Sequence, residues 1–150
     1  MTAKTITPEF SRPLLVDRVP RKGSHEHFQA DPSELVKLAK RFSIHALHKL
    51  SARLLLVPWR GGGIKVTGTV EAEVEQMSVV SLEVFATHNK FEVERYFLPA
   101  HKINENIEDD ADPIVNGEID LGEIVAETLS LELDPYSRKP GESFDEELKN

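Results

Sequence analysis

The plainest pattern in the chain is an alternation near its middle. Ile64, Val66, Gly68, Val70, Ala72 and Val74 take every second position, with Lys65, Thr67, Thr69, Glu71, Glu73 and Glu75 between them. A period of two puts one set on a buried face and the other in water, which predicts a half-buried strand. A second alternation, Phe91, Val93 and Phe97 against Lys90, Glu92, Glu94 and Tyr96, predicts an antiparallel partner. The stretch "SVVSLEVF", residues 78–85, lies between the two and reads as a short strand or a reversal. Upstream, "SIHALHKLSARLLLVPW" begins ambiguously and ends as a strand over residues 54–57. Pro58 marks a strand end or edge, because proline donates no ladder hydrogen bond. The "RGGG" that follows supplies the positive-φ freedom of a tight reversal.

Helical spacing occurs twice. Asp31 is placed to cap a helix, Pro32 suits its first position, and Glu34 is spaced to reach back to the cap. Leu35, Leu38, Ala39 and Phe42 then form an apolar stripe, with Lys37, Lys40 and Arg41 on the other faces, so a helix is expected over residues 32–42. Further on, Asp120 and Glu123 stand in capping-box relation before a stripe of Leu121, Ile124, Val125 and Leu129, and Pro135 closes that segment. The opening "FSRPLLVDRVPRKGSHEHFQA" reads as two short strands, residues 14–16 and 25–30, around the turn "RVPRKG". The fold expected is α+β, an antiparallel sheet, barrel-like or strongly twisted, with two main helices. Residues 10–141 form a single domain, between a flexible N-terminus (1–9) and a flexible acidic tail (142–150). The acidic run "ENIEDDAD", residues 105–112, reads as a mobile loop.

Composition narrows the function classes. The chain of 150 residues is 39% hydrophobic and 29% charged, which suits one globular domain with a moderate core. No apolar run approaches the ~20 residues of a membrane span, and "MTAKTITPEF" lacks the apolar core of an export signal. With no cysteine there is neither disulfide nor thiolate ligation, and a cytoplasmic chain is expected. Charge is unevenly spread. Residues 1–60 carry eleven Lys and Arg against five Asp and Glu, a balance of +6; residues 61–150 carry seven against twenty-one, a balance of −14. The basic half suits a phosphate backbone, or is simply an unevenly solvated surface.

Specific chemistry is hard to place. "RGGGIK" lacks the spaced glycines and the Lys-Ser/Thr of a phosphate loop, and a strand follows it, so it is a hairpin turn. His25 and His27 would share a strand face, and His45 and His48 a helix face if that segment were helical. Neither pair has a third ligand at a usual spacing, so no metal is expected. The 105–112 carboxylates lack the EF-hand spacing and its central glycine. Ser78 and Ser81 lie in neither G-x-S-x-G nor S-x-x-K, and no triad can be ordered around them. The residues therefore give no catalytic site, no cofactor and no small-molecule substrate. For nucleic acid, a surface can be assembled from Arg21, Lys22, Lys37, Lys40, Arg41, Arg53 and Arg60, together with Arg12 and Arg18. Trp59 is able to stack on a base or lean on Arg60. No compact RNA-binding signature accompanies it.

Four segments in order carry a resemblance: "FSRPLLVDRVP", "RFSIHALHKLSARLLLVP", "VTGTVEAEVEQMSVVSLEVF" and "DPIVNGEIDLGEIVAETLSLELDPYSRKPG". Together they resemble the YceD family, the large ribosomal RNA subunit accumulation proteins of bacteria and plastids, its alphaproteobacterial branch in particular. The resemblance implies a non-enzymatic role in biogenesis of the large ribosomal subunit, through accumulation or processing of its 23S rRNA. It leaves open whether the rRNA is touched directly, or whether the chain is an adaptor or chaperone for a basic ribosomal protein or assembly factor; a monomer is expected. Family members commonly carry C-x-x-C-L-E in the middle segment, where this chain has Ser78, Ser81, Leu82 and Glu83. Two serines cannot supply thiolates, so a zinc staple of that kind is excluded. The expectation is a structural turn whose packing, through Leu82 and Glu83, outlives the ligation, with the serines hydrogen-bonding its backbone.

Overall fold

A computed structural model describes residues 9–103 and 111–133. The strands, in chain order, are β1 (Pro13–Leu15), β2 (Ser24–Gln29), β3 (Ala46–Trp59), β4 (Gly63–Met77), β5 (Val84–Pro99), β6 (Ala111–Ile114) and β7 (Glu118–Asp120). The helices are α1 (Pro32–Phe42), the single turn α2 (Ala100–Ile103) and α3 (Leu121–Glu132). Five strands make one sheet in the order β2-β3-β4-β5-β6, while β1 and β7 form a separate antiparallel pair.

The frame is the meander β3-β4-β5. β4 pairs with β3 from Ala46–Glu75 to Trp59–Gly63, and with β5 from Ile64–Phe97 to Met77–Val84. Its predicted alternation holds: Ile64, Val66, Val70, Ala72 and Val74 are all buried. They meet Leu50, Leu54 and Leu56 of β3, Leu38 of α1, and Ile124, Val125 and Leu129 of α3 in one core. Burying a leucine or valine side chain stabilises by ~1.5–3 kcal/mol each, so this face decides which way the sheet turns. Gly68 is a point of close approach. A Cβ there would lie 2.0 Å from the Arg53 carbonyl oxygen and 2.8 Å from Leu54 Cα, so only glycine lets β3 close on β4.

Several expectations need correction. The sheet is open, with β2 and β6 at its edges, and does not close into a barrel. Those edges are six and four residues long against 14–16 in the middle, too short to wrap onto one another. Nor is the sheet wholly antiparallel, because β6 runs parallel to β5, Tyr96 beside Ala111 through Pro99 beside Ile114. Ala111 and Asp112, expected within the acidic loop, therefore open a strand; residues 104–110 lie outside those described. An edge strand tolerates Pro113 because the missing donor faces outward. The first two predicted strands make no hairpin: β2 lies on β3, and β1 lies on β7. The ambiguous opening of residues 43–59 is strand from Ala46 on, with a bulge between Leu47 and Lys49. That extra residue breaks the period of two, which is why the pattern was unreadable there.

The helices are fixed by their caps. α1 has the predicted capping box: the Glu34 amide donates to Asp31 Oδ1 (2.8 Å), and the Asp31 amide to Glu34 Oε1 (2.9 Å). α3 departs from its prediction by half. Asp120 accepts from the amides of Gly122 and Glu123, but the Glu123 side chain turns away to Arg41 on α1. Asp120 also accepts from Ser11 Oγ and the Arg12 amide, both at 2.7 Å. The Arg12 guanidinium meanwhile forks onto Glu34 at 2.8 and 3.0 Å, 4.8 Å from the centre of the buried Phe10 ring. Residues 10–12 thus tie the caps of both helices together. The Arg12 hydrogen bonds, outweighing burial, hold the Glu34 carboxyl below its ordinary range. Pro135, expected to close α3, lies outside the described residues.

Two outcomes are expected. Gly68→Ala should lower stability by about 3 kcal/mol or more, read as a fall in denaturant midpoint at unchanged slope. Because the Glu34 pKa is lower folded than unfolded, its contribution is complete above its ordinary value of 4.5 and disappears as the pH drops through the lowered folded value. Denaturant midpoints measured across that acid range should fall, and should fall less steeply in Glu34→Gln.

Candidate nucleic-acid interface

The short turn joining β3 to β4, residues 60–62, is built by Gly61 and Gly62, which take φ values of +69° and +81°. It carries the only tryptophan of the chain to one end of the sheet. There the Trp59 ring meets Tyr96 of β5 edge-on, with centroids 4.7 Å apart and planes at 65°. Such a pair contributes ~0.5–1.5 kcal/mol beyond its buried area and holds both rings in place. The Arg60 guanidinium lies 4.8 Å from the centre of the Trp59 ring, and Lys65 Nζ 5.7 Å from that of Tyr96. The Lys102 side chain of α2 borders the same turn, since a Cβ on Gly61 would sit 3.6 Å from Lys102 Cδ. Arg21 and Lys22 occupy the turn before β2, beside the end of β3: a Cβ on the adjacent Gly23 would meet Val57 and the Leu56 carbonyl. The Tyr96 hydroxyl donates to the Glu94 carboxylate, which pushes the phenol pKa upward and keeps it neutral. The result is a two-ring platform ringed by cations, suited to a stacked base with phosphates on either side.

The remaining predicted cations lie elsewhere. Arg53 is on the same wet face, six residues back along β3, about 20 Å at ~3.3 Å per residue. It lines a shallow depression of about 270 Å³ with Thr69, Glu71 and Lys90. Lys37 and Lys40 lie on α1, beside the opposite end of the sheet, where Lys40 borders a groove of about 470 Å³ with Val36, Ile44 and His45. Arg41 is committed to Glu123 and Glu9 at 3.0 and 3.2 Å, and the Glu123 hydrogen bonds hold its pKa above the usual arginine value. Arg12 is held by Glu34 in the same way. Tyr96, Lys65 and Lys102 were missed in the sequence. Lys65 and Tyr96 are directly paired across β4 and β5, so a correct register for those two strands would have found them.

Residues 78–83 form the reversal at the far end of the meander. Ser78 is fully buried; its Oγ accepts from the amides of Val80 (3.1 Å) and Ser81 (3.3 Å), and its own amide donates to the Glu83 carbonyl (2.8 Å). The Leu82 amide donates to the Ser78 carbonyl, and the Glu83 amide to Ser81 Oγ at a long 3.4 Å. Leu82 does not pack, contrary to expectation. It is 71% exposed with φ +63°, because Ser78 fills the interior of the turn.

Of the histidines paired by spacing, His25, His27 and His48 lie on strands and His45 just ahead of β3. His25 and His27 share the wet face of β2 opposite Leu55 and Arg53. The bulge in β3 brings His48 Nε2 to 3.2 Å and His45 Nε2 to 4.0 Å from Glu75 Oε1, an acidic neighbour the spacing did not reveal. Among the described residues no group of three or more His, Cys, Asp or Glu could hold a metal ion, and no helix is long and apolar enough to cross a membrane.

Comparison with known proteins adds one match. A family model described as "Large ribosomal RNA subunit accumulation protein YceD" matches residues 66–149, more than half of the chain. No curated protein and no solved structure matches it.

The two serines are expected to differ on substitution. Ser78→Ala should cost about 1 kcal/mol and accelerate amide exchange at Val80 and Ser81, because two part-buried donors lose their acceptor. Ser81→Ala should change stability by no more than ~0.5 kcal/mol, since its hydrogen bond is long and exposed.

Proposed function

This chain belongs to the YceD family of large ribosomal RNA subunit accumulation proteins, and from that premise we propose that it promotes accumulation of 23S rRNA by binding the RNA at the Trp59–Tyr96 end of its sheet. It acts by binding, without catalysis. The observation that carries this reading is the paired rings with Arg60 and Lys65 set against them. Stacking on such rings is worth ~1–3 kcal/mol per base, and it tolerates any base because each presents a π face. Arg21, Lys22 and Lys102 extend the positive charge around the turn, where a bent single strand could follow it. Arg53 lies along the same face but beside Glu71, and Lys37 and Lys40 are too distant to join one contact.

The competing reading is an adaptor that holds a basic protein and never touches RNA. The two part on one measurement, the affinity of the purified full chain for transcribed 23S rRNA across a salt series. The triple variant Trp59→Ala/Arg60→Glu/Lys65→Glu should bind at least tenfold more weakly. The slope of log affinity against log salt should fall by about two, because two phosphate contacts are lost. Lys37→Glu/Lys40→Glu should bind nearly as the parent does. Unchanged binding by the triple variant, with circular dichroism confirming its fold, would sink the interface; no rRNA binding by the parent would favour the adaptor.

A further inference from the structure

We propose that the tip of the β4–β5 hairpin is a docking site for a basic protein that offers an apolar pocket, a second surface at the opposite end of the sheet from the platform at Trp59. The tip projects. β3 leaves the ladder at Ala46–Glu75, whereas β4 and β5 go on pairing through Met77–Val84. Beyond Glu75 the protein is a two-stranded ribbon closed by the Ser78 turn. Within eight residues this ribbon exposes four large apolar side chains: Met77 (51%), Val79 (37%), Leu82 (71%) and Val84 (39%). Met77 and Val84 face one another across the pair. None of the four belongs to the core, and a concentrated apolar cluster on a projecting element marks a contact with another molecule.

The backbone points the same way. Leu82 sits in the left-handed region at φ +63°, which a leucine adopts only at a cost, and Ser78 fixes that conformation from inside the turn. A strained and rigid residue here presents its side chain to solvent, where it does nothing for the fold. Preorganisation of that kind lowers the entropy lost when a pocket closes on it.

Charge selects the occupant. The tip itself, residues 75–86, carries Glu75 and Glu83 and no lysine or arginine, while farther back along the ladder Glu73 lies opposite Lys49 and Glu71 opposite Lys90. A second copy of the chain would bring the same carboxylates to the contact. RNA would be repelled. A cationic protein surface is attracted, and apolar contacts at the centre of a charged rim are the usual anatomy of a specific interface. Proteins of the large ribosomal subunit supply that chemistry, and taking them as the partner class rests on the family role above.

The test uses the full chain with a photoreactive benzoylphenylalanine in place of Val79, mixed with RNA-free total protein of the large ribosomal subunit, and the crosslinked products are identified by mass spectrometry. The expected product is one or a few basic proteins. Yield should drop at least tenfold in Met77→Ser/Leu82→Asn and several-fold in Glu83→Lys. Asparagine adopts the left-handed region readily, so Leu82→Asn relieves the backbone while removing the apolar group. That variant should fold at least as well as the parent and still lose the partner. Equal yield from the double variant, a product containing only this chain, capture of RNA alone when rRNA is added, or no product at all would overturn the proposal. The platform is judged separately: tip variants should keep their rRNA affinity, and the Trp59 triple variant should keep its protein crosslink.

Discussion

Everything in this molecule is referred to β4. It is paired with β3 from Gly63 to Glu75 and with β5 from Ile64 to Met77, and its apolar face shares one core with α3, while α1 packs on the neighbouring β3. A strand paired on both sides cannot slip by one residue without turning its valines to water and its glutamates inward, so the register on either side is locked. Its two connections are consequently held some 45 Å apart, fourteen residues at ~3.3 Å each. One is the glycine turn that delivers Trp59 and Arg60; the other is the serine turn that delivers Leu82. The two turns differ in chemistry, aromatic with Arg60 and Lys65 at the glycine turn, apolar with Glu75 and Glu83 at the serine turn.

The N-terminal segment reaches this frame through hydrogen bonds more than through area. Phe10 is buried, yet what positions it is the exchange among Ser11, Arg12, Glu34 and Asp120. Gly122 is needed beside it, because a Cβ would come within 2.5 Å of the Phe10 carbonyl oxygen. Farther along α3, Glu127 joins Asp112 of β6 in clasping Arg95. Burial disfavours that guanidinium's charge, but the two carboxylates more than offset it and raise its pKa. These pairs are partly shielded from solvent, and those of Arg12, Glu34 and Asp120 also bond backbone groups, so they contribute more than isolated surface ion pairs do. They also explain why a count of positive charge overstates the surface open to RNA. Arg12, Arg41 and Arg95 are occupied in holding elements together.

The serine turn is held by a side chain that bonds its own backbone. The hydroxyl of the buried Ser78 accepts the amides of Val80 and Ser81 and so fixes the path of the chain around it. The glutamate and leucine that follow do not hold the turn by packing. Leu82 points outward, which moves the interest of this stretch from its interior to its surface.

Much of the fold could be read from the sequence, for local reasons. The period of two in β4, the Asp31 cap, the α3 stripe and the glycine turn are each set within a few residues by sterics, hydrogen bonding and the side-chain period, so one window contains the whole argument. The rest was decided at a distance. β1 joins β7 because Asp120, more than a hundred residues away, accepts from Ser11 and Arg12, and β6 is a strand only because β5 has an edge to pair with. The interface divides along the same line. Trp59 and Arg60 were visible as residue types beside a turn, but Tyr96 joins them from thirty-seven positions further on, once β5 is registered against β4. The sequence by itself determined the alternation, the caps and the turns, since these depend on neighbours along the chain. Only the tertiary structure decided that Arg12, Arg41 and Arg95 meet carboxylates and that Arg60 and Lys65 meet the rings, because that depends on which elements packing brings together.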